Sequence, residues 1–421
     1  MKFRILKNIW FLAFLIGIIG GFCAVFYYFL MNASLHLFWA KLHGSSWRAV
    51  LNGGAFDTSI LFVTLLGGLL VGLSNKFLGT PGEIAAVIDN INIKFGRLRI
   101  KETPSMIVNS LVSIGAGGSA GPEAPLVQII GSISSYFGDK LAISDDNVRI
   151  CTFCGMACAL GAFFGAPLGG ALFALEIPHR KSVEYGEAIF PALISSTIGF
   201  LIYRSFVGYK GPIFEIASIE SFPLKYFLYA VFLAFIGSIA GSFFIYFFRL
   251  LKKLVQPFSG YPLIMGCLGG LIIGVIALFA PETLFWGEWQ VVDLLTDGLL
   301  DMSIFHLLFI AFAKVVAIAV TLHFGFRGGF IFPLFFIGAT LGIVVSQLFP
   351  FIPLPLAVLS LMAAINISVT KTPLATVVIL TSLSGTNLLP YLVVVGVVTL
   401  IFTNKITFIQ TQQERIFNNP S

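Results

Sequence analysis

Ile9–Met31 is a stretch of 23 residues without a charged side chain, and mostly apolar stretches follow at Ile60–Leu78 and Phe227–Leu251. A helix needs about 20 such residues to cross the hydrocarbon core of a bilayer. In lipid every backbone polar group must be bonded within the protein, so helices are the spanning element for runs of this length. The whole chain follows suit: 57% of its 421 residues are hydrophobic and 10% are charged. That balance excludes a soluble domain and predicts an all-α polytopic membrane protein embedded in a lipid bilayer. The 43 glycines suit close helix packing, and the 45 phenylalanines suit lipid-facing bulk.

Lys2, Arg4 and Lys7 precede the first stretch, which is too long for a signal-peptide core and lacks a clear cleavage site. It reads as a first spanning helix with a cytoplasmic N-terminus, because positive flanks stay inside. The net charge of +6 is attributed to such flanks. No basic run is long enough to argue for a nucleic-acid partner. Cys151, Cys154 and Cys158 share one helix face. A metal site would want a fourth soft ligand and a polar surround, so they read as small packing residues, with no metal and no cofactor expected. The chain has no HExxH, no GxSxG and no paired carboxylates with a base, which argues against an enzyme.

The apolar pattern occurs twice. Phe11–Phe22 (FLAFLIGIIGGF) and Phe232–Phe243 (FLAFIGSIAGSF) agree at seven of twelve positions, at an offset of 221. Leu66–Gly72 recurs as Leu268–Gly274, and Gly82-Glu83 as Gly287-Glu288. Pro125-Leu126 recurs as Pro333-Leu334 at an offset of 208, and Pro167-Leu168 as Pro373-Leu374 at 206. Five matches in one order predict two repeated halves, residues 1–210 and 211–421, joined through the polar stretch Ser205–Pro223. Four stretches are short and cut by glycine or proline: Ala124–Phe137, Pro167–Ile177, Phe330–Phe349 and Pro373–Leu383. Interrupted segments at matching places in two halves predict discontinuous helices meeting at a midplane binding site.

The polar residues sharpen that site. Glu123 stands between Pro122 and Pro125 in GGSAGPEAPLVQ, residues 117–128. The glycines permit a tight turn and close approach of a ligand, and Pro122 suits a first helical turn. Glu123 is therefore expected at a helix N-terminus, where N–H groups and the helix dipole attract an anion. A carboxylate there occupies an anion's place and leaves it when protonated. Taking a bare anion into hydrocarbon costs on the order of tens of kcal/mol, which helix N-termini offset without a full positive charge. The second loop, GGFIFP at residues 328–333, is the partner from the other half. Arg327 precedes it and either raises the potential for anions or snorkels to an interface. Glu176, with His179 and Arg180, is expected to mark the water boundary at a helix end, with a proton relay as its alternative role. Glu83 and Asp89 read as loop or cap residues.

With these motifs in order along nearly its whole length, the chain resembles the CLC family of chloride channels and chloride/proton antiporters. GPEAP at 121–125 is similar to the family's gating motif, usually GREGP, and the resemblance assigns Glu123 as the gating glutamate, with the Ala124 amide beside it. GGFIFP resembles the family's GGIFAP-like loop, which implies that the Phe330 and Ile331 amides hold the central chloride, with the Phe332 amide as a further anion-binding group. Phe164–Glu176 resembles the segment after the gate. The resemblance implies an inverted repeat, one pore per subunit, a homodimer, a prokaryotic cytoplasmic membrane, and chloride and protons as the transported ions. No appended regulatory domain is expected after Thr403–Ser421.

Several positions depart from the family. GTPGE at 79–83 stands for GSGIP, so the family's serine falls on Gly79, with Thr80 the nearest hydroxyl. The family's inner tyrosine falls on Phe408. Both hydroxyl ligands are lost, which predicts a wider inner gate or a weaker central site. Pro122 replaces the motif's arginine, and Arg327 is the candidate replacement charge. Ile177 stands at the internal proton glutamate, immediately after Glu176. The leading expectation is a chloride/proton antiporter that runs faster at acid pH. The alternatives are a passive chloride channel, which Gly79, Ile177 and Phe408 favour, and a fluoride transporter.

Overall fold

The computed structural model of the chain describes residues 8–39, 58–82, 84–179, 186–208, 211–214, 216, 223–296 and 302–412. Among these residues there are sixteen α-helices and no strand. The first eight are α1 (Ile9–Trp39), α2 (Ser59–Leu78), α3 (Ile84–Ile93), α4 (Thr103–Gly115), α5 (Glu123–Lys140), α6 (Asp145–Phe164), α7 (Pro167–Glu176) and α8 (Ile189–Val207). The next eight are α9 (Leu224–Val255), α10 (Pro262–Phe279), α11 (Glu288–Thr296), α12 (Ile304–His323), α13 (Ile331–Leu348), α14 (Leu354–Thr370), α15 (Pro373–Ser384) and α16 (Leu389–Thr403). The two series match in length: α1 and α9 have 31 and 32 residues, α5 and α13 have 18 each, and α7 and α15 have 10 and 12. Among the described residues, eight helices are long and apolar enough to cross a membrane. Between the series, α8 continues through Val207, and residues 209–210, 215 and 217–222 lie outside the described residues.

The repeated glycine motifs are contact surfaces. Leu66–Gly72 on α2 crosses Leu268–Gly274 on α10 so closely that a Cβ on Gly68 would lie 2.1 Å from the Gly266 carbonyl oxygen. Small residues permit that approach, and membrane helices associate largely by such packing. The same relation holds at the centre. Gly121 and Gly329 are equivalent in the repeat, and each donates its N–H to the other's carbonyl, at 2.8 and 2.6 Å. A reciprocal pair between equivalent residues marks the two-fold axis relating the halves.

Some segments differ from expectation. α1 runs eight residues past Met31 because its polar end finds partners on α4: Ser34 Oγ donates to the Leu111 carbonyl at 2.8 Å and Trp39 Nε1 to the Gly115 carbonyl at 2.7 Å. The stretch Phe330–Phe349 is not a short fragment; α13 is spanning length and unbroken after Phe330. Asp89 lies inside α3 rather than in a turn. Lys2, Arg4, Lys7, Glu83 and Arg180 lie outside the described residues. Cys151, Cys154 and Cys158 are buried in α6, where Cys158 fills the space left by Gly20 and Gly199.

Candidate functional site

Glu123 opens α5, with Pro122 just outside at the cap position. Proline at this boundary removes an N–H that the helix would not use. The side chain is 1% exposed, and its Oε1 accepts a hydrogen bond from the Ile331 N–H at 2.9 Å. The Phe332 amide lies against the same carboxylate. Ile331 opens α13, capped by Phe330, so the carboxylate from one half covers the positive end of a helix from the other. Ile331 is also the repeat equivalent of Glu123: the two-fold axis brings them together, and only one carries a charge. Gly121 and Gly329 make room, since a Cβ on either would overlap the Glu123 carboxyl. Glu123 Oε2 has no hydrogen-bond partner among the described atoms.

Glu123, Ala124, Phe330 and Ile331 line one small cavity of about 20 Å³ with Val127, Phe173 and Ile177. This brings four of the sequence-predicted anion-site residues, and Ile177, onto one space. Phe332 lies behind it, its ring 5.4 and 5.6 Å from those of Phe163 and Phe164. Those two rings border a cavity of about 690 Å³, which Tyr28 on α1, Arg204 near the end of α8 and Glu288 at the start of α11 also line. A second large cavity, about 240 Å³, opens near the end of α2 and is lined by Asn75, Thr80, Lys252, His323 and Arg327. In the orientation expected from the sequence, the first is the outer mouth and the second the inner one.

The lost hydroxyls have different consequences. Gly79 and Thr80 are exposed, and Thr80 faces the inner cavity rather than the space around Glu123. Phe408 does not leave a wider opening. Its ring lies 5.0 Å from Phe330, 4.8 Å from Phe248 and 5.8 Å from Phe244, in one apolar cluster. Arg327 does not snorkel: it is 7% exposed, and its Nε and Nη1 donate to the Pro81 and Phe326 carbonyls at 3.0 and 3.2 Å. Its guanidinium turns to the 79–82 loop at the inner mouth and does not line the Glu123 cavity.

Glu176 corrects another expectation. It ends α7 but is 3% exposed, and His179 is buried beside it, so neither marks a water boundary. Its two oxygens accept from the Leu374 and Ala375 N–H groups at 3.1 and 2.9 Å. These are first-turn amides of α15, donors that a helix leaves unsatisfied. Burial is possible because the start of α15 supplies what water would have supplied.

Lys314, Lys371 and Asn366 are among the buried polar residues that escaped the sequence reading. Lys314 Nζ donates to the carbonyls of Thr283, Leu284 and Phe285 at 3.0, 3.3 and 2.9 Å, fixing the loop before α11. Lys371 Nζ reaches the Ser368 and Thr403 carbonyls at 2.8 and 2.7 Å. Asn366 Nδ2 donates to the Ile331 carbonyl at 3.1 Å. The signal was there, since isolated polar residues in apolar helices are costly and call for a partner.

A fold of two reciprocally paired halves, with a carboxylate over a helix start between two mouths, defines an ion-transport protein of the membrane. The family model described as voltage gated chloride channel matches residues 64–404, and the chain belongs to that family. It is 30% identical over 272 residues to the uncharacterized protein MJ0305 of Methanocaldococcus jannaschii, covering 65% of this chain and 67% of that protein. The solved structure of a CLC-type fluoride/proton antiporter is similar at a TM-score of 0.80 and 21% identity, over 97% of this chain and 98% of that one. A slow cyanobacterial Cl−/H+ antiporter is similar at 0.79 and 19% identity, over 94% and 93%. These likenesses establish the inverted-repeat fold of CLC transporters for a multi-pass membrane protein.

Proposed function

We propose that this chain exchanges chloride for protons, with Glu123 as gate and proton carrier. The observation that carries the reading is the Ile331 N–H bonded to Glu123 Oε1 at 2.9 Å. The carboxylate holds the helix-start position suited to an anion, so chloride and ionised Glu123 compete for the same amides. Protonation removes the competitor's charge and frees those amides. The partnerless Oε2 makes the occupied state easier to leave, because a buried acceptor without a donor costs about 1–3 kcal/mol. On the inner side, Glu123 and Ile177 line one cavity of about 20 Å³. No second carboxylate lines that cavity, whose walls besides Glu123 are apolar, so the inner proton carrier lies outside it.

The reading assigns the anion site to the Ile331 and Phe332 amides, flanked by Phe330 and Ala124, with Arg327 and Thr80 at the inner mouth. It needs no cofactor and no chemical step, so the protein is a transporter rather than an enzyme. It takes a homodimer with one pore per subunit, in the cytoplasmic membrane of a prokaryote. A passive chloride channel is the second reading, favoured by the buried apolar Ile177, whose carbonyl is already taken by Gln412 Nε2 at 2.8 Å. Fluoride as the ion is the third, favoured by the likeness to a fluoride/proton antiporter. The test places purified protein in liposomes with a chloride gradient, no proton gradient and the potential clamped by valinomycin and potassium. Uphill proton movement is expected. Chloride flux without it overturns the exchanger in favour of the channel.

A further inference from the structure

We propose that Asn366 is a positioning residue for the anion site, holding the Ile331–Phe332 peptide so that its N–H points at the bound ion. The inference rests on the transport reading above and adds to it a residue that touches neither the ion nor the gate. Asn366 is fully buried in α14. Its Nδ2 donates to the Ile331 carbonyl at 3.1 Å. A trans peptide is planar, and its C=O and N–H point in opposite directions. The N–H opposite that carbonyl belongs to Phe332, and it lies against the Glu123 carboxylate beside the Ile331 N–H. Gripping the carbonyl therefore aims the amide. It also strengthens the amide as a donor, because hydrogen bonds in series polarise one another in a low-dielectric interior.

Asn366 is itself held in place. Thr370 Oγ1 donates to the Asn366 carbonyl at 2.8 Å and stands 3.4 Å from its Oδ1. Thr370 and Thr372 share a hydrogen bond of 2.7 Å between their hydroxyls. Thr372 is the residue before α15, whose first amides hold Glu176. With Oδ1 turned to Thr370, the carboxamide presents Nδ2 to Ile331. A residue that only filled the core would be replaced by leucine, of the same branching, without effect on the ion.

The test measures chloride binding by titration calorimetry, and half-saturating chloride and maximal turnover in liposomes, for the wild type, Asn366→Leu and Asn366→Ser. Asn366→Leu is expected to weaken chloride binding and raise half-saturation about tenfold, the scale of one hydrogen bond serving a charged ion. Maximal turnover stays within about twofold, and the same loss of affinity appears in a Glu123→Gln background, because the aimed amide serves the ion and not the gate. Serine is too short to reach the Ile331 carbonyl and gives a similar loss, which decides the matter if the leucine variant does not fold. Affinity within about twofold of wild type in either folded variant overturns the inference alone. A wild-type protein without saturable chloride binding overturns the transport reading beneath it.

Discussion

Glu123 and Glu176 are two answers to one physical problem. Each is a buried carboxylate of the first series of helices, and each covers the first amides of a helix from the second. Glu176 uses both oxygens, on Leu374 and Ala375 at 3.1 and 2.9 Å. Glu123 bonds one amide at 2.9 Å through Oε1, while Oε2 has no partner and a small cavity lies alongside. A carboxylate engaged through both oxygens is a fixed cap. A carboxylate engaged through one oxygen, with space to move into, is a removable one. The difference lies in how many oxygens are engaged and in where the residue sits on its own helix: Glu123 begins α5, whereas Glu176 ends α7.

The largest expected effect separates the two by pH. Chloride flux in the wild type rises as pH falls, by at most about tenfold per pH unit for one titrating group. The sign follows because the proton neutralises the carboxylate that blocks the amides. Glu123→Gln flattens this profile and keeps chloride flux high, and a stopped-flow flux series across pH checks it. Glu176→Ala leaves the profile intact but destabilises the protein by about 2–3 kcal/mol, since two buried amides lose a charged acceptor. A thermal melt of the detergent-solubilised protein reads that loss, and an unchanged midpoint would remove its role as a fixed cap.

A smaller effect sharpens the contrast from the backbone side. A Cβ at position 329 would fall 2.2 Å from Glu123 Cδ. Gly329→Ala therefore displaces the carboxylate and raises chloride flux at neutral pH about tenfold, the value of about one charge-assisted hydrogen bond. The smallest effect concerns the inner mouth. Arg327→Ala removes a positive charge near the path without touching either cap, and is expected to weaken half-saturating chloride about threefold through a partly screened Coulomb interaction. Unchanged chloride dependence would leave Arg327 as an anchor for the Pro81 carbonyl alone.

Much of the fold is legible because its marks are local. Proline and glycine cut the apolar runs where helices start, and the glycines of Leu66–Gly72 and Leu268–Gly274 form a surface on which the halves meet. Glu123 stands out as a lone carboxylate between prolines in apolar sequence. Glu176 is as visible but its partner is not: Leu374 lies 198 residues away, and only the tertiary fold brings a helix start to it. The direction of Arg327 is hidden for the same reason, since the Pro81 carbonyl is 246 residues distant. Phe408 reads as a lost hydroxyl, whereas its ring finds three aromatic neighbours that no local pattern announces.

The most direct test of the comparison measures chloride-driven proton movement in liposomes for the wild type, Glu123→Gln and Glu176→Gln side by side. The account predicts that coupling is lost in Glu123→Gln, with chloride flux retained, and survives in Glu176→Gln. Coupling that persists in Glu123→Gln, or that disappears in a stably folded Glu176→Gln, would contradict it.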